Sequence, residues 1–186
     1  MWRSLVNEQR RVKVSKFLSR HLRHAPEDLG LTLQPGGWVE VEDLLAGCQR
    51  AGVPLTRGEL EEVVGTSDKR RFAFDETGGR IRANQGHSVE VDLQLEPSTP
   101  PDVLYHGTAE GTVETILKTG LKRMRRHHVH LSSTTPTAQK VGARHGRPVV
   151  LQVDARAMRA AGIPFYRSAN GVWLVDEVPP QYLRVL

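Results

Sequence analysis

Four groups of side chains in this sequence have the types and spacing to hold an anion or move a proton. The first is Leu22-Arg23-His24. A guanidinium is a planar, permanently charged fork that grips phosphate through two bonds at once, and an imidazole can donate a bond or carry a proton near neutral pH. The pair would make a phosphate clamp; the plainer account is that cations are favoured at a helix C-terminus by the dipole. The second group joins Asp68-Lys69-Arg70-Arg71-Phe72 to Ile81-Arg82-Ala83-Asn84-Gln85-Gly86-His87-Ser88. Basic hairpins are often solvated sheet edges. Here Asn84, Gln85, His87 and Ser88 also set four hydrogen-bonding side chains around Gly86, a loop able to hold a ribose or a phosphate.

The third group is Tyr105-His106-Gly107-Thr108, placed at the end of an expected strand. A glycine there would let a ligand approach the backbone, with His and Thr as polar anchors; a simple turn accounts for the same residues. The fourth and densest is Met124-Arg125-Arg126-His127-His128-Val129-His130-Leu131-Ser132. On a strand His128 and His130 would share a face, as metal ligands do. One cysteine in the whole chain, no nearby acid and flanking arginines argue against a metal and for an anionic cofactor. Neither a Gly-x-Gly-x-x-Gly nor a Walker loop is present, so a nucleotide would not be held by a Rossmann or P-loop cradle.

The elements that must position these groups fall on either side of Glu96-Pro97-Ser98-Thr99-Pro100-Pro101-Asp102, where three prolines in seven residues impose an extended connection. We expect one lobe over 1–95, a linker over 96–102 and a second lobe over 103–186. In the first, Val14, Phe17, Leu18, His21 and Leu22 repeat at the spacing of a buried helical stripe, and Lys13, Lys16, Arg20, Arg23 and His24 form a basic edge beside it. Pro26 discourages continuation, and a second helix is expected over 42–50. Thr56-Arg57-Gly58-Glu59 has the form of a capping box opening a third helix through Val64. Residues 71–74 and 80–83 flank Gly78-Gly79 as a hairpin. Three helices and a hairpin is the order of a winged helix, a helix-turn-helix variant used on nucleic acids.

In the second lobe strands are expected over 103–105, 128–131, 148–153, 172–175 and 182–186. One helix should cover 112–118, ended by Gly120, and another should open at Thr135-Pro136, with Thr135 as cap, and run to Arg144. The fold class is therefore α+β.

Composition narrows the setting. The chain has 186 residues, and arginine supplies 20 of its 26 positive side chains, for a net charge of +5. A phosphate-rich partner would suit that balance, as would a GC-rich genome with no functional meaning. A run long and apolar enough to span a membrane is lacking, and Met1-Trp2-Arg3-Ser4 leads into charge rather than into an apolar leader. With Cys48 as the single cysteine, a reducing cytoplasmic setting is expected.

Taken in order, the four groups resemble the KptA/Tpt family of RNA 2′-phosphotransferases over roughly residues 10–186. The resemblance is carried by Ser15-Lys16-Phe17-Leu18-Ser19 with Leu22-Arg23-His24, Gly37-Trp38-Val39, Lys69-Arg70-Arg71-Phe72, and Asn84-Gln85-Gly86-His87-Ser88. Further along it is carried by Leu104-Tyr105-His106-Gly107-Thr108, His127-His128-Val129-His130-Leu131-Ser132, and Ser168-Ala169-Asn170-Gly171-Val172-Trp173 with Val178-Pro179-Pro180. It implies an N-terminal winged-helix RNA lobe joined to a C-terminal ADP-ribosyltransferase-like lobe that binds NAD⁺ as co-substrate, without a metal. It implies a catalytic quartet at Arg23, His24, Arg71 and Arg126, although Arg70 and Arg125 adjoin two of these positions.

The resemblance further implies that His106, Gly107, Thr108, Ser132 and Asn170 line the NAD⁺ site. Lys16, Arg20, Arg70 and the loop Asn84, Gln85, Gly86, His87 and Ser88 would face RNA bearing a 2′-phosphate. The implied reaction has two steps. The RNA 2′-phosphate displaces nicotinamide from NAD⁺, and the neighbouring ribose hydroxyl then attacks phosphorus. The products are 2′-hydroxyl RNA and ADP-ribose 1″,2″-cyclic phosphate, and the enzyme is expected to act as a monomer. Two other classes fit parts of the sequence: an ADP-ribosyltransferase capping terminal phosphates of RNA or DNA, and a non-catalytic winged-helix nucleic-acid-binding protein. The acidic Glu-x-Glu pair of many protein-modifying relatives is missing, and Glu177 stands alone.

Overall fold

A computed structural model describes residues 6–186; Met1 to Ser4, which carry the expectation about a leader, lie outside the described residues. The described chain is a mixed α/β structure of six α-helices and small antiparallel sheets. It divides into two compact units, Met1–Gln94 and Leu95–Leu186.

The first unit opens with α1 (Glu8–Arg23), capped by the Asn7 side chain, which accepts from the Arg10 N–H. Its apolar stripe is buried as the spacing predicts: Val14, Leu18 and Leu22 are sealed in the core, and Phe17 packs against it. Each such side chain is worth roughly 1.5–3 kcal/mol of burial. His21 shares that face because its Nδ1–H donates to the Phe17 carbonyl at 2.8 Å, so no polar atom is stranded there. Helix α2 (Val41–Arg50) follows the short strand β1 (Trp38–Glu40), and α3 (Arg57–Gly65) begins at the expected capping box of Thr56 and Glu59. Strands β2 (Phe72–Phe74) and β3 (Arg80–Ala83) form the hairpin, with β1 paired to the other side of β3. The Trp38 ring lies under the guanidinium of Arg82, 4.4 Å from its centroid, which covers an aromatic face with a cation.

In the second unit β4 (Val103–Ala109) and β7 (Pro148–Asp154) pair in full register, and β11 (Leu183–Val185) pairs on the far side of β7. Helices α4 (Val113–Thr119) and α5 (Thr135–Gly142) lie between these strands in sequence. Strand β6 (Val129–Leu131) pairs with β9 (Trp173–Val175), which also pairs with β8 (Tyr166–Arg167). A Tyr105–Ser132 bridge joins β6 to β4. Strands β5 (Leu121–Lys122) and β10 (Glu177–Val178) form a two-stranded sheet that pairs Lys122 with Glu177, giving that lone acid a structural partner. The connection is pinned to this unit: the Ser98 N–H donates to the Phe165 carbonyl at 2.7 Å.

Several expected details are corrected. The 103–105 strand continues to Ala109, so Gly107 is neither a turn nor a strand end. What comes close to its backbone is α5: a Cβ at Gly107 would sit 1.6 Å from the Ala138 carbonyl oxygen. The cap of α5 is Thr134, not Thr135, with Pro136 inside the first turn, where a missing N–H costs nothing, and the helix ends at Gly142 rather than Arg144. His128 lies outside β6 and Arg71 outside β2. Helix α6 (Ala155–Ala160) and strands β5, β8 and β10 were not expected; their six or fewer residues are too short to show a period. Helix α6 starts where Asp154 accepts from the Ala157 N–H at 2.9 Å.

The close approach of α5 to β4 is directly testable. Gly107→Ala should destabilise the protein by more than about 3 kcal/mol in urea unfolding, because a backbone carbonyl cannot give way as a side chain can. A loss below about 1 kcal/mol would mean that α5 does not pack so tightly.

Candidate active site

The first unit holds a cavity of about 570 Å³ between α1, the end of α3 and the segment leading into β2. Of the residues singled out in this unit, Lys16, Arg20, Arg23, His24 and Arg71 line it. The 3.6-residue period of α1 lays Lys16, Arg20 and Arg23 along one edge, and the helix ends with Arg23 in its last turn and His24 as cap. Arg71 enters from the opposite wall and Arg70 does not line the cavity. The cause is local. Arg70 has φ +40°, and its carbonyl accepts from the Asn84 amide at 2.6 Å, while the Asn84 N–H donates to the Arg71 carbonyl at 2.9 Å. Arg11, Ser15, Ser19 and Ser67 also line the cavity. Arg11, Ser15 and Ser19 share a face at four-residue spacing, a signal that could have been read in advance.

The loop after β3 supports this wall and is not simply an exposed strip. Asn84 and His87 are buried, His87 to 1% exposure. Packing explains the burial of His87: its ring lies against Gly37, where a Cβ would come within 3.3 Å of Nε2. Gln85 and Gly86 are half-buried. Gly86 takes φ +89°, and a Cβ there would lie 3.7 Å from Nη1 of Arg23. Ser88 closes the loop on α1: its N–H donates to the Arg23 carbonyl at 2.9 Å, and its hydroxyl lies 2.8 Å from Nδ1 of His24. Nε and Nη2 of Arg23 are buried, so this guanidinium is held in a fixed place.

The remaining candidates belong to the second unit. His106 and Thr108 stand two apart on β4 and so share a face. The His130 carbonyl can only accept, so at 3.0 Å it takes the Nδ1–H of His106, leaving Nε2 of the neutral ring as an acceptor. Burial, then the charges of Arg126 and His145, hold the His106 pKa below its ordinary 6.5, against the raising effect of that hydrogen bond. The Thr108 and Thr112 hydroxyls are 2.7 Å apart. Arg126 can only donate, so its 2.8 Å contact from Nη1 to Nδ1 of His130 requires His130 to be neutral, with its proton on Nε2. Arg125 has no such anchor among the described residues.

Ser132 is fixed by its bridge to Tyr105, and the β8–β9 turn that carries Asn170 leads into Trp173, the register partner of Leu131. The Ser168 hydroxyl donates to the Asn170 carbonyl oxygen at 2.7 Å, orienting that amide. His128 turns elsewhere, with its ring 5.5 Å from that of Tyr166 and its Nε2 3.8 Å from Asp176, so it shares no site with His130. Among the described residues there is no group of three or more His, Cys, Asp or Glu that could hold a metal ion. No described helix is long and apolar enough to cross a membrane.

A cavity lined by Lys16, Arg20, Arg23, His24 and Arg71 has the side chains found in proteins that handle phosphate esters. Comparison with known proteins narrows the class. The family model described as RNA 2′-phosphotransferase, Tpt1/KptA family, matches residues 9–177. A protein of Trichormus variabilis called a probable RNA 2′-phosphotransferase is 59% identical over 97% of this chain and 100% of its own length. Proteins given the same description from Nostoc punctiforme and Streptomyces coelicolor are 60% and 56% identical, each over 96% of this chain and 99% and 97% of their own lengths. The chain belongs to the Tpt1/KptA family of RNA 2′-phosphotransferases, and it is a transferase.

The His106 environment sets a pH dependence. The unfolded chain takes up a proton at this ring from about pH 6.5 downward, whereas the folded ring resists it. The stabilisation is therefore complete above pH 6.5 and is lost as pH falls through the lower folded-state value. An NMR titration should place the His106 midpoint below 6.5; a midpoint at or above that value would mean the ring is solvated.

Proposed function

We propose that this chain removes an internal 2′-phosphate from RNA by transferring it to NAD⁺, with Arg23, His24, Arg71 and Arg126 as catalytic residues. The observation that carries this reading is the cavity in which Arg23, His24 and Arg71 meet, with both α1 residues fixed by Ser88. The first unit is read as a winged-helix RNA lobe, since three helices precede a hairpin whose β3 also pairs with β1. The second is read as an ADP-ribosyltransferase-like lobe. The single thiol, Cys48, is buried and its pKa is pushed up to about 11 by that burial, which suits a cytoplasmic enzyme with no use for a disulfide.

The donor set of the second unit fits a dinucleotide. Nε2 of His106, the Thr108 and Ser132 hydroxyls and the Asn170 amide are neutral groups of the kind that bind ribose hydroxyls and a carboxamide, and Arg126 suits a phosphate. When bound, NAD⁺ supplies the electrophilic ribose carbon and the nicotinamide leaving group. A phosphate monoester is already anionic, so the protein need not generate a nucleophile; it must orient one. Arg23 and Arg71 hold the 2′-phosphate and offset the charge that grows on its equatorial oxygens during transfer. His24, with Nδ1 engaged by Ser88, delivers a proton to the departing 2′-oxygen. Ser88 is a positioning residue, because its contacts are to Arg23 and His24.

Incubation with NAD⁺ and a short RNA bearing one internal 2′-phosphate tests this reading; 2′-hydroxyl RNA and free nicotinamide should form together. Arg23→Ala, Arg71→Ala and Arg126→Ala should each lower turnover by about 10²-fold or more with unchanged circular dichroism. Full turnover in all three would end the role assignment. Arg126→Ala should still release nicotinamide if that residue serves mainly the second step. Ser88→Ala should lower kcat by about tenfold and move the acid limb of the pH profile, with KM unchanged and partial recovery in Ser88→Thr. Activity should survive EDTA, and a chelator-sensitive rate would revive a histidine metal site.

A further inference from the structure

The positive charge of this chain is distributed unevenly. Residues 1–94 hold 14 Lys and Arg against 14 Asp and Glu, whereas residues 95–186 hold 12 against 7. The whole net charge of +5 therefore lies in the unit read as binding NAD⁺, and none in the unit read as binding RNA. In the first unit Arg10 pairs with Glu59, Arg11 with Glu8, Arg20 with Asp28, Arg57 with Glu61 and Arg80 with Asp75. In the second unit residues 115–153 hold eight Lys and Arg and not one acid.

Helix α5 shows where part of this excess goes. Ala138 and Gly142 are buried, one turn apart, where the helix meets β4. Lys140 lies about half a turn from that face and is exposed, and Arg144 follows it four residues on in the turn that continues the helix. His145 and Arg147 in the same turn are exposed as well. Among the described residues neither Lys140 nor Arg144 has an acidic side chain within ion-pair distance; Arg147 reaches Glu110 at 3.5 Å. Attraction to the helix C-terminus accounts for one or two such cations, but not for a 39-residue segment with eight Lys and Arg and no acid of its own. The turn also borders the candidate residues of β4: Ala109 pairs with Pro148, and the Glu110 N–H donates to the Arg147 carbonyl at 2.9 Å.

We propose that Lys140, Arg144, His145 and Arg147 form a binding surface for the sugar–phosphate backbone of RNA beyond the reacting nucleotide. This rests on the reading of RNA as substrate. Exposed cations clustered at the end of a helix hold a polyanion by releasing its counterions, without reading sequence. A dinucleotide pyrophosphate, with two charges already provided for by Arg126 and neutral donors, leaves such a strip unused. The surface therefore serves long substrates and is silent for short ones.

The test compares wild type with Lys140→Glu/Arg144→Glu on two substrates carrying a 2′-phosphate, a dinucleotide and an RNA of about 20 nucleotides, at two salt concentrations. For the long RNA the variant should show KM raised about tenfold or more and a flatter salt dependence. Two lost phosphate contacts reduce the log–log slope by about 1.4 for a single strand. On the dinucleotide its kcat and KM should match wild type. An unchanged KM and salt slope on the long RNA would overturn the surface, as would an equal loss on both substrates. Lys140→Gln/Arg144→Gln, with an unfolding midpoint equal to wild type, should show the same pattern more weakly and guards against misfolding. If wild type turns over neither substrate, the proposed reaction fails. The surface is then judged by fluorescence anisotropy with unmodified 20-nucleotide RNA, where equal affinity of wild type and variant would refute it.

Discussion

The candidate phosphate site depends on one clamp, the return of the loop after β3 onto the C-terminus of α1. Like charges brought together repel one another and would splay apart if their backbones were free. Here Ser88 bonds the last helical carbonyl and the His24 ring, and Asn84 bonds the backbone at Arg70 and Arg71. Two walls of the cavity are therefore tied through residues 84–88, so backbone hydrogen bonds help hold Arg23 and Arg71 at the same cavity. Such preorganisation is what makes a charged site useful when charge builds on a transferring phosphoryl group.

The second unit solves a different problem. Its candidate side chains sit on β4, a strand whose neighbours approach closely enough that one position must be glycine. Gly107 meets the backbone of α5, and Gly142 of α5 in turn meets the backbone of β4, so helix and strand interlock. With the strand held this way, His106 keeps its Nδ1–H on His130, and His130 keeps its Nδ1 for Arg126. Two imidazoles are thus set in opposite tautomers by one carbonyl and one guanidinium. Both arrangements need the neutral ring, and burial favours that form at His106.

The uneven charge connects the two descriptions. The first unit gathers cations locally while its acids equal its cations in number, whereas the second keeps an unbalanced excess on exposed segments. The first pattern suits a site that must be rigid. The second suits a surface that acts at a distance and varies with salt.

Periodic and locally capped features were legible in the residues alone. The stripe of α1, the capping box of Thr56 and Glu59, the hairpin at Gly78-Gly79 and the Arg and His clusters all depend on neighbours within a few positions in the chain. The short elements α6, β5, β8 and β10 were not legible, because two to six residues carry no period and their existence depends on partners such as Lys122 for Glu177. Only tertiary structure could show that His87 and Asn84 turn inward, that Gly107 meets the backbone of α5, and that Arg71, not Arg70, lines the cavity. Each of these outcomes rests on contacts between residues distant in sequence, and a side chain's type states what it can bond to but not which neighbour the fold will bring.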